Sequence, residues 1–193
     1  TITNVLCFGN STGNIEVTVS GGHGNYIYNW TDELNNSIGN ESFISDLSAG
    51  TYSLLVNDSV CSESFSFEIT QFDQIQYQSL PNPNDVSCFG GNDGFISDLV
   101  IQGGLAPYQY SWDNNGVIIT QVNPSSLEKG LYELTVIDSN ECQLSFPVVE
   151  ISEPSELIFL PNSVISQPSC FNVNDGSMNI FANGGVTNFT YQL

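Results

Sequence analysis

The residues of this sequence that could do chemistry are few. Five cysteines stand at 7, 61, 88, 142 and 170, and the single histidine, His23, lies in Gly-Gly-His-Gly-Asn. Asp93 and Asp175 sit in Asn-Asp-Gly triplets, and Asp58 and Asp138 each follow a strand-like run just before a cysteine. These four aspartates are the candidate oxygens for Ca²⁺, which takes six to eight of them. Asn-Asp-Gly is equally a tight-turn sequence whose glycine adopts positive φ, and Asp58 and Asp138 read equally as hairpin residues bonding their own backbone. No Ser-His-Asp constellation is available away from His23, which reads as a loop tip. Asp32 and Glu33 are adjacent, so on a strand they would face opposite ways, a poor start for acid-base work. Tyr26, Tyr28 and Trp30, with Tyr108, Tyr110 and Trp112, could offer a stacking platform for sugars. They also alternate as the inward face of a strand would, and the core reading is preferred.

These residues must be placed by something, and the chain repeats itself. "CFGNSTGNIEVTVSGG" (7–22), "CFGGNDGFISDLVIQGG" (88–104) and "CFNVNDGSMNIFANGG" (170–185) are three copies of one unit at a period of about 81 residues. An aromatic follows five residues after the first glycine of each pair: Tyr26, Tyr108 and Phe189. The third copy continues through Tyr191 to Leu193. "AGTYSLLVND" matches "KGLYELTVID", and Cys61 and Cys142 follow them. The repeats are expected at 1–73, with a shortened first strand, at 74–155, complete, and at 156–193, an N-terminal half.

Cys7 and Cys61 are 54 residues apart, as are Cys88 and Cys142. Equal spacing predicts two intradomain disulfides, Cys7–Cys61 and Cys88–Cys142, and an oxidising compartment. Cys170 is expected to find its partner outside these residues. A metal site is disfavoured, because each repeat has two cysteines and His23 has no counterpart in the other copies.

Apolar residues recur with period 2, as in Ile15, Val17, Val19; Tyr52, Leu54, Val56; and Phe65, Phe67, Ile69. Short strands punctuated by Gly, Asn, Asp, Ser and Pro predict an all-β protein of tandem Ig-like antiparallel β sandwiches, each of about 80 residues. The extra residue of the second copy, near Asp98 and Leu99, predicts a β-bulge. The junctions near Asp73 and Pro154 lack a Gly/Ser linker, which predicts an elongated, semi-rigid string of beads.

The net charge of −20, with Lys129 the single Lys or Arg, argues against nucleic-acid partners and anionic lipid. No apolar run approaches the roughly 18 residues of a membrane helix. The expected partners are neighbouring repeats and, through avidity, a surface polysaccharide; no cofactor is expected beyond the Ca²⁺ candidates.

"SCFGGNDG", "GGLAPYQYSW", "KGLYELTVID" and the following Cys142 resemble the SprB repeat, a module found in tandem in very long surface proteins of gliding Bacteroidota. The resemblance implies an exported adhesin delivered by type IX secretion to the surface of a Gram-negative cell, where it serves gliding or attachment; the residues themselves, with no histidine in the second and third copies, give no expectation of an enzyme. Asp58-Ser59-Val60 resembles a short O-glycosylation motif of that phylum, which makes Ser59 a candidate glycan site.

Overall fold

The computed structural model describes residues 1–186 and 188–190; Tyr191 and Leu193 lie outside them. Twenty strands are present among the described residues. The first repeat supplies β1 (Ile2–Thr3), β2 (Gly13–Glu16), β3 (Ile27–Thr31), β4 (Ser37–Gly39), β5 (Phe43–Leu47), β6 (Gly50–Asn57) and β7 (Ser62–Ile69). They form two antiparallel sheets, ordered β1-β2-β5 and β4-β3-β6-β7. Alternation decides which side chains meet between them: Ile15 and Ile44 from one sheet, Trp30, Leu54, Val56 and Ile69 from the other, are all buried in one core.

The second repeat supplies β8 (Gln76–Ser79), β9 (Asn82–Asn84), β10 (Gly94–Ser97), β11 (Val100–Gln102), β12 (Gln109–Asn114), β13 (Val117–Ile119), β14 (Ser125–Leu127), β15 (Gly130–Ile137) and β16 (Gln143–Ile151). The orders β14-β10-β9 and β13-β12-β15-β16 repeat the first plan, and β8 with β11 forms an added two-stranded sheet. The third contributes β17 (Ile158–Phe159), β18 (Val164–Ser166), β19 (Ser177–Asn179) and β20 (Ala182–Asn183), paired as β17-β20 and β18-β19. The architecture is all-β, with tandem Ig-like sandwiches.

The chain forms two compact units: residues 1–77 with 101–109 and 136–144, and residues 78–100 with 110–135 and 145–193. The first unit therefore contains the whole first repeat together with one end of the second.

The expected bulge at Asp98 and Leu99 is instead a break between two strands. Asp98 has φ of 65°, β10 ends at Ser97, and β11 starts at Val100 with a different partner. The expected run from Ile15 to Val19 divides at the same place, since β2 ends at Glu16.

The glycine of Asn-Asp-Gly is also not the positive-φ residue. Gly94 opens β10, where an added Cβ would lie 2.9 Å from Leu127 O and from Ile151 Cγ2. Gly13 meets Leu47 O and Ile69 Cγ2 at the same 2.9 Å. Close approach of neighbouring strands, rather than a left-handed turn, excludes a side chain at both positions.

Candidate functional site: a disulfide-bonded joint

The residues common to the copies gather at the poles of the repeats. Asp138, 2% exposed, follows β15 in the hairpin to β16. Its Oδ1 accepts from Asn140 N at 2.8 Å and Cys142 N at 2.9 Å, and its Oδ2 accepts from Leu105 N at 2.9 Å. In the first repeat, Asp58 Oδ1 accepts from Val60 N at 3.1 Å and Cys61 N at 2.8 Å, and Oδ2 from His23 N at 3.0 Å. One carboxylate thus fastens the hairpin to the Gly-Gly loop. The backbone N–H groups of Cys61, His23 and Val60 hold the Asp58 carboxyl below its usual range.

The second glycine of each pair makes room for that carboxylate. A Cβ on Gly22 or Gly104 would fall 2.1 or 2.4 Å from the Oδ2 of Asp58 or Asp138. The Tyr108 hydroxyl closes the loop by donating to Gly103 O at 2.6 Å, and Tyr26 donates to Gly21 O in the same way.

The first glycine serves the junction. A Cβ on Gly103 would stand 2.0 Å from Gln74 O, and Gly104 N donates to Asp73 O at 2.8 Å. In the second unit, a Cβ on Gly184 would stand 1.9 Å from Glu156 O, and Gly185 N donates to Ser155 O at 2.7 Å. The junctions near Asp73 and Pro154 are thus bonded to a Gly-Gly loop, through Asp73 O and Ser155 O.

Cys7 is bonded to Cys142, 135 residues away, while Cys61, Cys88 and Cys170 are free and exposed. The expected pairs Cys7–Cys61 and Cys88–Cys142 are therefore incorrect. Val5 bridges Gln71, just past the end of β7, whereas Cys61 precedes the start of β7. Ten extended residues separate the two positions by about 33 Å, while a disulfide needs Cα atoms within roughly 7 Å. The second repeat is built alike: Val86 N donates to Ser152 O, just past β16, while Cys142 precedes β16. The two cysteines of a repeat thus lie at opposite poles, and the bond forms across the junction inside the first unit. Equal spacing of 54 residues in two copies is satisfied equally well by this pairing.

The turn carrying Cys7 is itself anchored. Gly9 N donates to Gln71 Oε1 at 2.8 Å, and Thr70 N to Asn4 Oδ1 at 3.0 Å. Gly90 N donates to Glu153 Oε2 at 2.7 Å, and Ser152 N to Asp85 Oδ1 at 2.8 Å, at the matching positions. Lys129 Nζ donates to Glu153 Oε1 and lies 5.6 Å from the centre of the Phe89 ring.

The remaining candidates are placed as follows. Asp93 Oδ1 accepts from Ser87 N and Asp175 Oδ1 from Ser169 N, each at 2.9 Å, closing the Cys-Phe turns. The side chains of Ser87 and Ser169, and after them these backbone N–H groups, hold both carboxyls below their usual range. Asp58, Asp93, Asp138 and Asp175 occupy four separate turns, and no group of three or more His, Cys, Asp or Glu among the described residues is placed to hold a metal ion. Asp32 caps the turn after β3 by accepting from Leu34 N and Asn36 N, and Glu33 Oε1 accepts from Thr51 N at 2.8 Å. Trp30 and Trp112 are fully buried, donating from Nε1 to Glu41 O at 2.8 Å and Gln121 O at 3.1 Å. Tyr26, Tyr28, Tyr108 and Tyr110 are half-buried. Trp30 packs on Phe67 at 5.3 Å between ring centres, where an antibody domain would offer a disulfide. Ser59 is exposed at the hairpin tip with φ of 73°.

Asp138→Ala removes an acceptor from three backbone donors, and we expect a loss of about 2 to 3 kcal/mol in urea unfolding. Asp138→Asn keeps one or two of those bonds and should recover roughly half of the loss. Equal losses for both variants would show that the bonds to the Gly-Gly loop are not what the carboxylate contributes.

Sandwiches of this strand order, with one cysteine bond joining two of them beside a Gly-Gly loop, define a class of tandem Ig-like β repeats. The profile of the SprB repeat matches residues 1–35, 80–117 and 162–193, over half of the chain, and the chain belongs to that family. It is a repeat segment of a surface adhesin. No curated protein matches it. The three N-terminal domains of the bacteriophage RB49 highly immunogenic outer capsid protein Hoc are similar at 18% identity and TM-score 0.48, over 97% of this chain and 69% of that one. The amphioxus IgVJ-C2 molecule shares 15% identity at TM-score 0.35, over 72% and 94%. A chimeric titin Z1Z2 tandem shares 15% at TM-score 0.34, over 75% and 91%. No helix of the described residues is long and apolar enough to cross a membrane.

Proposed function

We propose that this chain is a semi-rigid stalk segment of a large exported adhesin, without catalytic activity, at the surface of a gliding Gram-negative bacterium. Type IX secretion would deliver it, and gliding or attachment would use it. One observation supports the reading above the others. The residues shared between copies, namely the Gly-Gly pair, the buried aspartate, the tyrosine and the cysteines, build the joint and leave no common ligand surface. Asp73 and Ser155 are tied to the next Gly-Gly loop, and Cys7 is tied to Cys142. A stalk needs such junctions.

A second reading is weak binding of a surface glycan or protein, multiplied by repetition and aided by Ca²⁺. It is favoured by the loops within 31–43 and 113–126, which differ completely between copies and carry exposed apolar residues, Leu34 and Val117 among them. A glycan array probed with the oxidised chain, with and without Ca²⁺, separates the readings. The stalk predicts no reproducible signal. Binding that disappears when either loop is exchanged would overturn it.

A further inference from the structure

The sheets β14-β10-β9 and β13-β12-β15-β16 of the second repeat have four outer strands, and three of them are guarded against pairing with another chain. β9 carries Pro83 at its centre and β16 carries Pro147, neither of which has an N–H to offer. β14 is bulged, with Ser126 at φ of 60° left unmatched between the pairs Gly94–Leu127 and Phe95–Ser125. β13, Val117–Ile119, has no proline, no charge and an unbroken register with β12. Its counterpart in the first repeat, β4, shifts register where it meets β3, so the bare edge belongs to the second repeat.

That edge is apolar as well as bare. Val117 is 65% exposed and Ile118 52%, and no charged residue stands between Asp113 and Glu128. The turn from β12 to β13 consists of Asn115 and Gly116, both at positive φ, which makes Asn114 and Val117 a hydrogen-bonded pair. Alternation along the ladder then turns the N–H and C=O of Ile118 away from β12, to the side of the sheet where no further strand lies. The strand therefore presents one backbone donor and one acceptor from the same residue, flanked by β-branched side chains.

We propose that β13 is a self-pairing edge through which two copies of this chain associate. The two strands run antiparallel about a two-fold axis at Ile118, where each N–H donates to the other's C=O and the two four-stranded sheets become one. A second copy is the occupant because the strand is its own complement. Donor and acceptor belong to one residue, so a two-fold axis satisfies both at once, and the Ile118 side chains meet on one face. Charge selects the same place: on a chain of net charge −20, an uncharged segment is where two copies repel each other least. The contact is small, so the dimer is weak and depends on salt. This goes beyond the stalk reading, because a stalk segment can be stiff and stand alone.

Sedimentation equilibrium of the whole oxidised chain tests this, with Cys61, Cys88 and Cys170 blocked by N-ethylmaleimide so that no new disulfide can join two copies. Between about 10 μM and about 1 mM protein the mass should move from monomer toward dimer. Raising the salt from about 0.05 to about 0.5 M should strengthen association severalfold, because the charges it screens are alike. A chain that stays monomeric throughout overturns the proposal. Ile118→Lys sets two like charges against each other across the axis and should weaken the dimer by about tenfold or more. Ile118→Pro removes the outward N–H without adding charge and should weaken it as much, while an edge strand tolerates the proline. Leu131→Lys, at a position 55% exposed on β15 within the same sheet, should leave association unchanged. A dimer that survives both Ile118 variants, or that Leu131→Lys weakens equally, overturns the assignment to the edge. Amide exchange at Ile118 should slow as the dimer forms, and exchange independent of concentration overturns the pairing. None of these readouts involves the Cys7–Cys142 bond, the Gly-Gly loops or a glycan, so failure here and failure of the stalk reading are separable.

Discussion

Reduction of the Cys7–Cys142 bond is expected to lower the stability of the first unit by as much as about 5 kcal/mol, because it opens a loop of 135 residues. That figure is an upper value, since the chain-entropy model treats the loop as featureless and two folded repeats span most of this one. The mechanical consequence is sharper. With the bond intact, a force applied at the chain ends cannot extend the residues between the two cysteines. Reduction should therefore add about 450 Å of contour length when both repeats unfold. Single-molecule pulling on the oxidised and reduced chain, with Cys142→Ser as the permanently open control, measures this directly. An unchanged contour length would mean that the bond does not carry load across the junction, and the stalk reading would lose its main support.

The second large effect is in the core. Trp30→Ala should cost about 4 kcal/mol, since it removes the largest buried side chain of the first sandwich and leaves a cavity facing Phe67. It also strips Glu41 O of its donor. A domain of about 80 residues commonly has only 5 to 10 kcal/mol in hand, so most of the first repeat's stability would be gone. Trp112→Ala should behave alike in the second repeat, where Gln121 O loses its donor. Ile27→Ala, at a strand position 63% exposed, should move the urea midpoint by less than 0.5 kcal/mol equivalent. Circular dichroism across a urea titration distinguishes these variants. A loss below 1 kcal/mol for Trp30→Ala would make the tryptophan a surface platform after all.

How far the sequence could be read depended on whether a feature's cause was local. Period-2 alternation depends only on the pleat of a strand, and Tyr52, Leu54 and Val56 all turn inward on β6 as their spacing required. The Gly-Gly pair announced a turn because positive φ is a property of the residue itself, and Gly103 and Gly104 have φ of 76° and 61°. Asp58 and Asp138 could be read as hairpin residues from their place after a strand. That each carboxylate also reaches the Gly-Gly loop could not, because 33 residues separate Asp138 from Leu105. The signal was there in the pairing of an aspartate with a glycine pair in both copies, but its distance in sequence hid it.

Copy, length, class and periodicity were thus determined by the chain alone: repeats of about 81 residues, all-β, sandwich-forming, with a buried tryptophan in each complete copy. Only the tertiary structure decided which cysteines meet. Spacing along the chain says nothing of direction, and β7, lying between Cys61 and Gln71, carries the second cysteine to the pole opposite the first. The same limit explains Gly94 and Gly103. Their composition signals a turn, but what excludes a side chain is a carbonyl from a distant strand or from the preceding linker, which an added Cβ would approach to 2.9 and 2.0 Å. Contacts made by folding, rather than by neighbours in sequence, turn a repeat signature into a joint.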